Sequence, residues 1–236
     1  MRIKVVNPNT TASMTAKIGE CARAVSGQGV IVDAVSPSSG PVSIESHHDE
    51  AMCAPGVVRE VLSGEVEGYD GYVIACFGDP GLLAAREVAA GPVVGIAEAA
   101  MRTAAYLGRS FSVVTTLERT IGHTRDIARS YGVSDLCAGV HACEIPVVEL
   151  DSDPTARGKI LVACRSALVA DGSDVVVLGC AGMADLCDWL SGELDVPVVD
   201  GVAAAVLTVE QLVRLGLGTS KRGEFATPPM KEHVGS

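Results

Sequence analysis

Basic residues are scarce in this chain of 236. Lys and Arg number 18 against 29 Asp and Glu, a net charge of −11 at pH 7. Such a surface repels phosphate-rich polymers, which argues against nucleic acid as a partner. Charged residues of both signs make up only 20% and aromatics 3%, while hydrophobic residues reach 48%. Long disorder needs the opposite balance, little hydrophobicity and much charge. No apolar run attains the roughly 20 residues of a membrane helix. The apolar part of the opening segment Met1–Pro8 is too short for a signal peptide. These absences point to a soluble, cytoplasmic protein with no membrane and no nucleic-acid partner. No GxGxxG follows the first apolar run, which argues against a bound dinucleotide.

Cysteine is present but unpatterned. It falls at Cys21, Cys53, Cys76, Cys137, Cys143, Cys164, Cys180 and Cys187, with no Cys-x-x-Cys pair. In a chain that is neither short nor secreted, free thiols are expected rather than disulfides. Cys137, His141 and Cys143 come nearest to a metal cluster, but three donors at this spacing match no common zinc pattern. No metal is expected. Most of the eight cysteines fit the ordinary role of small buried hydrophobes.

Short β-branched runs alternate with helical patterns along the whole chain. Strands are expected at Ile3–Val6, Val30–Val35, Tyr72–Ala75, Pro92–Ile96, Phe111–Thr115, Val147–Leu150, Val175–Leu178 and Pro197–Val199. Helices are expected between them. The first carries Met14, Ile18, Cys21, Ala22 and Val25 on one face, with Asn9 or Thr10 as its cap. Others lie at Val57–Leu62, Gly81–Ala90, Glu98–Leu107, Ile121–Tyr131, Ile160–Val169, Leu186–Leu190 and Val202–Leu215. Such alternation predicts an α/β fold with parallel sheets covered by helices. The tail from Gly218 to Ser236 has little apolar periodicity and is expected to be extended on the surface or frayed.

The two halves repeat one plan. Ala75-Cys76-Phe77-Gly78 is echoed by Gly179-Cys180-Ala181-Gly182. Pro92-Val93-Val94 is echoed by Pro197-Val198-Val199, and Lys4-Val5-Val6-Asn7 by Ser112-Val113-Val114-Thr115. The three echoes share nearly one offset of about 105 residues. The expectation is two pseudo-symmetric Rossmann-like lobes with a cleft between them. Residues 1–96 plus about 203–236 form the first lobe and residues 97–202 the second, the last helix crossing back.

Cys76 and Cys180 then stand at equivalent strand ends, where open parallel sheets bind ligands. Each precedes a small-residue turn and a helix start, whose unpaired N–H groups lower a thiol's pKa. If the lobes face each other, the two thiols approach one substrate from opposite sides. One thiolate then removes a proton from a carbon beside a carbonyl, the enolate is held by backbone N–H groups, and the opposing thiol delivers a proton to the other face. The product is the mirror image.

The chain resembles the aspartate/glutamate racemase superfamily, and within it the hydantoin and allantoin racemase branch. The resemblance is carried by Ile3–Thr10, by Gly40-Pro41 with Ser43-Ile44-Glu45 and Asp49-Glu50, and by Ala75–Leu82. It continues through Gly95–Ala100, Phe111–Thr115, Gly179–Met183 and Pro197–Val202. It implies a cofactor-independent racemase of 5-monosubstituted hydantoins, including allantoin, with Cys76 and Cys180 as the acid/base pair. It also implies a homo-oligomer of four or six chains.

The substrate-binding candidates are Asn7, Ile44, Gly78, Asp79, Thr115, Thr116, Ala181 and Gly182. Asn7 serves equally as a helix cap, and Asp79 equally as a turn stabiliser. Glu98 suits a helix N-terminus by charge alone. Pro37–Gly56 reads as a long unstructured connection of the kind that forms binding lids. It holds His47 and His48, where known relatives often carry aromatics, and no third metal ligand lies nearby. A polar lid suits the ureido group of allantoin better than an alkyl or aryl substituent.

Two other classes of function compete. One is another enzyme of the superfamily, an amino-acid racemase or a maleate-type isomerase with one nucleophilic cysteine. Acidic amino-acid racemases carry Asn and Thr after the first cysteine and Thr after the second. Phe77-Gly78 and Ala181-Gly182 stand here instead, and no Arg or Lys flanks either cysteine. The other is a non-enzymatic small-molecule sensor, which the loss of one cysteine would have favoured.

Overall fold

The computed structural model describes residues 1–229 and residue 231. Two four-stranded sheets account for its strands, and every pairing is parallel. The first has the order β2-β1-β3-β4, from β1 (Arg2–Val6), β2 (Ile31–Val35), β3 (Gly71–Ile74) and β4 (Val93–Gly95). The second repeats that order as β6-β5-β7-β8, from β5 (Phe111–Thr115), β6 (Cys137–Ala142), β7 (Val175–Gly179) and β8 (Val198–Val199). Strand direction of winding reverses between β1 and β3, and again between β5 and β7. Those are the switch points at which crevices open at the strands' carboxyl ends.

The helices are α1 (Ala12–Val25), α2 (His47–Glu67), α3 (Leu82–Val88), α4 (Ile96–Leu107), α5 (Ile121–Ser130), α6 (Ala156–Asp171), α7 (Cys187–Leu194) and α8 (Gly201–Arg214). Two of them change sides. Helix α4 leaves the first sheet and packs on β7, and α8 leaves the second sheet and packs on β3, β4 and α1. The two cross closely at their starts: a Cβ on Gly201 would lie 2.6 Å from the Ile96 carbonyl oxygen, so only glycine admits this approach. Ala97, Ala100, Met101 and Ala104 of α4 are buried with Val202, Ala205, Val206 and Val209 of α8. One hydrophobic core therefore runs through both halves, from Val5 and Val73 to Val113 and Val177.

Three local expectations are corrected. The last strand before α6 is Cys137–Ala142, and Val147–Glu149 is a single 3-10 turn behind Pro146. As an edge strand, β6 has one neighbour and is mostly half-buried, so it needs no β-branched run. The lid expected over Pro37–Gly56 is a loop only to Ser46, because α2 begins at His47 and passes through Pro55. Its start is marked by Ser46, whose hydroxyl accepts from the Asp49 N–H while the Asp49 carboxylate accepts from the Glu45 N–H. The cap of α1 is Thr11, with the Asn9 side chain accepting from the Thr11 N–H at 2.9 Å.

The tail is tied down through its described part. Thr219 donates to the Gly91 carbonyl, and Lys221 donates to the carbonyls of Arg86 and Glu87. The expectation for residues 230 and 232–236 lies outside the described residues.

Candidate active site

The carboxyl ends of β1, β3, β5 and β7 converge on a cavity of about 170 Å³. Cys76 and Cys180 both line it, together with Ile44, Gly78, Thr115, Thr116 and Ala181. Each cysteine follows its strand directly or after one residue, β3 ending at Ile74 and β7 at Gly179. Each thiol also has the same helper, the backbone N–H of the glycine two residues on, Gly78 or Gly182. The repeated Cys-x-Gly therefore has a physical meaning. The small residue lets the turn fold back so that its N–H faces the sulfur, and that donor favours the thiolate.

Burial acts against it and wins. The Cys180 thiol is pushed up to about 12, and the Cys76 thiol is held well above the ordinary value. The expected lowering by helix-start N–H groups is therefore overturned for the free site: desolvation of the charged form outweighs one backbone donor. Lys17 acts weakly in the opposite direction on Cys180.

Three expected binding residues lie behind the wall rather than in it. Asn7 is 1% exposed; its amide donates to the Asn9 and Thr15 side-chain oxygens. The polar group at the cavity from this turn is Asn9. Asp79 faces α4, accepting from the N–H groups of Ala97 and Glu98 and from the Tyr131 hydroxyl. Its backbone is left-handed, φ 45°, and burial pushes its carboxyl up to about 6. Gly182 turns its carbonyl to Lys17, which also pairs with Asp151 and Asp185. Thr115 hydrogen-bonds Thr120, and Glu98 pairs with Arg86 and Arg102 as well as beginning α4.

The fold brings in Arg119 and His123, which no motif announced, and sets Glu45 and Glu50 of the resembling pieces beside them. Arg119, from the 3-10 turn after β5, lines the cavity, as do Glu45, Glu50 and His123. Glu45 ties the loop before α2 to the second half by accepting from the Val147 N–H at 2.7 Å. Glu50 of α2 meets His123 of α5 at 2.9 Å and holds the imidazole above its usual pKa. His47 lies one turn before Glu50, so the fold supplies the partners that His47 lacked in sequence. His48 stays on the surface beside Asp49. Cys137, His141 and Cys143 do not converge: His141 pairs with Asp171, and residues four apart on a strand are about 13 Å apart.

Comparison with known proteins bears on this geometry. A hydantoin racemase of Rhizobium meliloti is 46% identical over 236 residues, covering 100% of this chain and 98% of its own. The structure of an allantoin racemase from Klebsiella pneumoniae superposes with a TM-score of 0.97 at 52% identity, covering 100% of this chain and 96% of that one. An allantoin racemase from Pseudomonas fluorescens superposes with a TM-score of 0.96 at 42% identity, with 100% of both chains covered. The Asp/Glu/Hydantoin racemase family model matches residues 3–209, which takes in all eight strands and both cysteine turns. With two equivalent sheets and a thiol at the same place on each, the chain belongs to the Asp/Glu/Hydantoin racemase family.

Proposed function

We propose that this racemase inverts C5 of 5-monosubstituted hydantoins, allantoin among them, by proton transfer between Cys76 and Cys180 without a cofactor. The observation that carries the reading is the pair itself: two thiols, each beside the N–H of a Cys-x-Gly turn, in the wall of one cavity. The C5 proton is acidic because C4 is a carbonyl, so the anion is an enolate that N–H donors stabilise. A thiolate on one face removes the proton and the thiol on the other replaces it. Run backwards, the same step exchanges the roles of the two sulfurs.

Charge in the cavity supports a neutral substrate. Glu45 and Glu50 stand against Arg119 and the His123 imidazole that Glu50 already pairs with, so the cavity offers no excess of positive charge to a dicarboxylate. That weakens the acidic amino-acid racemase and maleate isomerase alternatives. The presence of both thiols weakens the sensor alternative. Ser46, His47 and Glu50 at the mouth favour a polar ureido substituent over an apolar one. The division into residues 1–96 with about 203–236 and residues 97–202 remains our reading of the duplication. We also take the chain to work as a homo-oligomer of four or six in the cytoplasm. Val162 and Val169, one face of α6, are 63% and 88% exposed and suit a subunit contact. All eight cysteines are free, which suits a reducing compartment. No helix of the described residues is long and apolar enough to cross a membrane.

The deciding experiment follows the circular dichroism of (S)-allantoin and of L-5-benzylhydantoin with the purified protein. Decay of either signal to zero, with the hydantoin recovered intact, is the expected result. Unchanged signals with both would overturn the substrate class, and faster decay with the benzyl compound would overturn the ureido preference.

A further inference from the structure

We propose that His47, Glu50 and His123 form a binding site for a divalent transition cation of the zinc class, placed at the mouth of the cavity and separate from the two thiols. His47 and Glu50 are one turn apart on α2, so both side chains rise from the same face. His123 comes from α5, in the other half of the chain. The three donor atoms lie within 4.8 Å of one another. His123 Nε2 is 2.9 Å from Glu50 Oε1, and His47 Nδ1 is 3.5 Å from Glu50 Oε2. Around tetrahedral zinc, at about 2.0–2.1 Å from each nitrogen or oxygen, neighbouring donors sit about 3.3 Å apart. Both spacings bracket that figure. The two imidazoles meet edge to face with centroids 5.3 Å apart, so neither ring blocks the other's nitrogen. A further oxygen, the Gly78 carbonyl, lies 3.5 Å from His123 Nε2.

An ordinary ion pair between Glu50 and His123 accounts for two of these groups but leaves the third without a reason. His47 is 78% exposed, yet its nitrogen is directed at the second oxygen of the same carboxylate. Two imidazoles and one carboxylate, reachable from solvent, form a donor set that zinc favours. The acidic surface raises the local concentration of cations. The consequence is mechanical. A cation here fastens α2 to α5 over the turn that carries Cys76, and so shuts the entrance without joining the chemistry. Millimolar zinc should inhibit the enzyme reversibly, with a chelator restoring full activity.

The test must separate this site from zinc on the thiols. The full-length Cys76→Ser/Cys180→Ser protein, freed of metal, is titrated with CoCl2 by absorption and with ZnCl2 by calorimetry. The first equivalent of cobalt should give only weak visible bands, because sulfur ligation alone produces intense near-ultraviolet charge transfer. Adding His47→Ala should weaken zinc binding by about tenfold or more, and far-ultraviolet circular dichroism checks that α2 persists. An intense near-ultraviolet band with the first equivalent, or unchanged zinc affinity in His47→Ala, would overturn the site. In the otherwise wild-type enzyme, His47→Ala should raise the zinc concentration for half-inhibition by the same factor. Equal inhibition in both proteins would overturn the closing role.

Discussion

The Tyr131 hydroxyl donates a 2.6 Å hydrogen bond to Asp79, so the residue that caps the end of α5 holds the carboxylate that closes the turn three residues beyond Cys76. Asp79 passes that restraint on to α4 through the N–H groups of Ala97 and Glu98. The Cys76 turn is thus clamped from the second half of the molecule as well as from its own strand.

Tyr131→Phe removes one of three donors from a buried carboxylate. A hydrogen bond to a charged group contributes about 1.5–3 kcal/mol. Urea unfolding should show a loss of that order. As a positioning residue, Tyr131 should affect kcat for racemisation more than KM. A variant as stable as wild type, or one altered only in KM, contradicts the clamp.

The raised pKa of Asp79 has a sign that can be checked. Its folded value of about 6 exceeds the unfolded 3.9, so the folded state holds the proton more tightly. The associated stability is full below pH 4 and is lost as pH rises through about 6. Asp79→Asn removes this titration. The stability difference between wild type and variant should therefore shift against the wild type by roughly 2 kcal/mol between pH 4 and 7. Denaturation midpoints at four pH values suffice; a constant difference would refute the assignment.

Cys76→Ser and Cys180→Ser should each abolish racemisation, since a hydroxyl is a far weaker acid and base at neutral pH. The loss should reach about 100- to 10,000-fold. In D2O the two variants should retain slow deuterium exchange with opposite enantiomers, measurable by proton NMR. Near-wild-type racemisation by either variant removes that residue from the mechanism. Cys164→Ser, at a fully buried site on α6, should instead lower the unfolding midpoint and leave the per-molecule rate intact.

Both thiols are protonated at neutral pH in the free enzyme because burial raises them, Cys180 to about 12. The base form grows as pH rises, so kcat/KM should climb from pH 7 to 9.5. Stability should move the other way. Unfolded thiols ionise from about pH 8.5, and the contribution of the buried, protonated pair is lost as pH rises toward the folded values. A rate maximum below pH 7 would show that another group supplies the base.

Racemisation should survive EDTA and dialysis in full. Activity lost on dialysis and restored only by a divalent metal would end the cofactor-free reading.

Much of the fold is legible in sequence because its central strands, β1, β3, β5 and β7, are buried on both faces and are mostly apolar, rich in Val and Ile. The cysteines are legible because each closes such a run. The edge strand β6 is not, since Ala138 and Gly139 need no apolar pattern there. The start of α2 is hidden by polar residues and by Pro55, although Ser46 and Asp49 spell its cap. Ile44, Thr115 and Thr116, candidates from sequence, line the cavity, whereas Arg119 and His123 owe their place there to tertiary packing alone. The one-turn spacing of His47 and Glu50 was the available signal for the latter cluster.

The exchange of α4 and α8 restricts how this molecule can breathe. Splaying the lobes apart would part α4 from α8, stripping Met101 and Val206 of their neighbours. A wide hinge is therefore costly. The rim where the first turn of α2 meets α5, held by Glu50 and His123, lies outside that shared core.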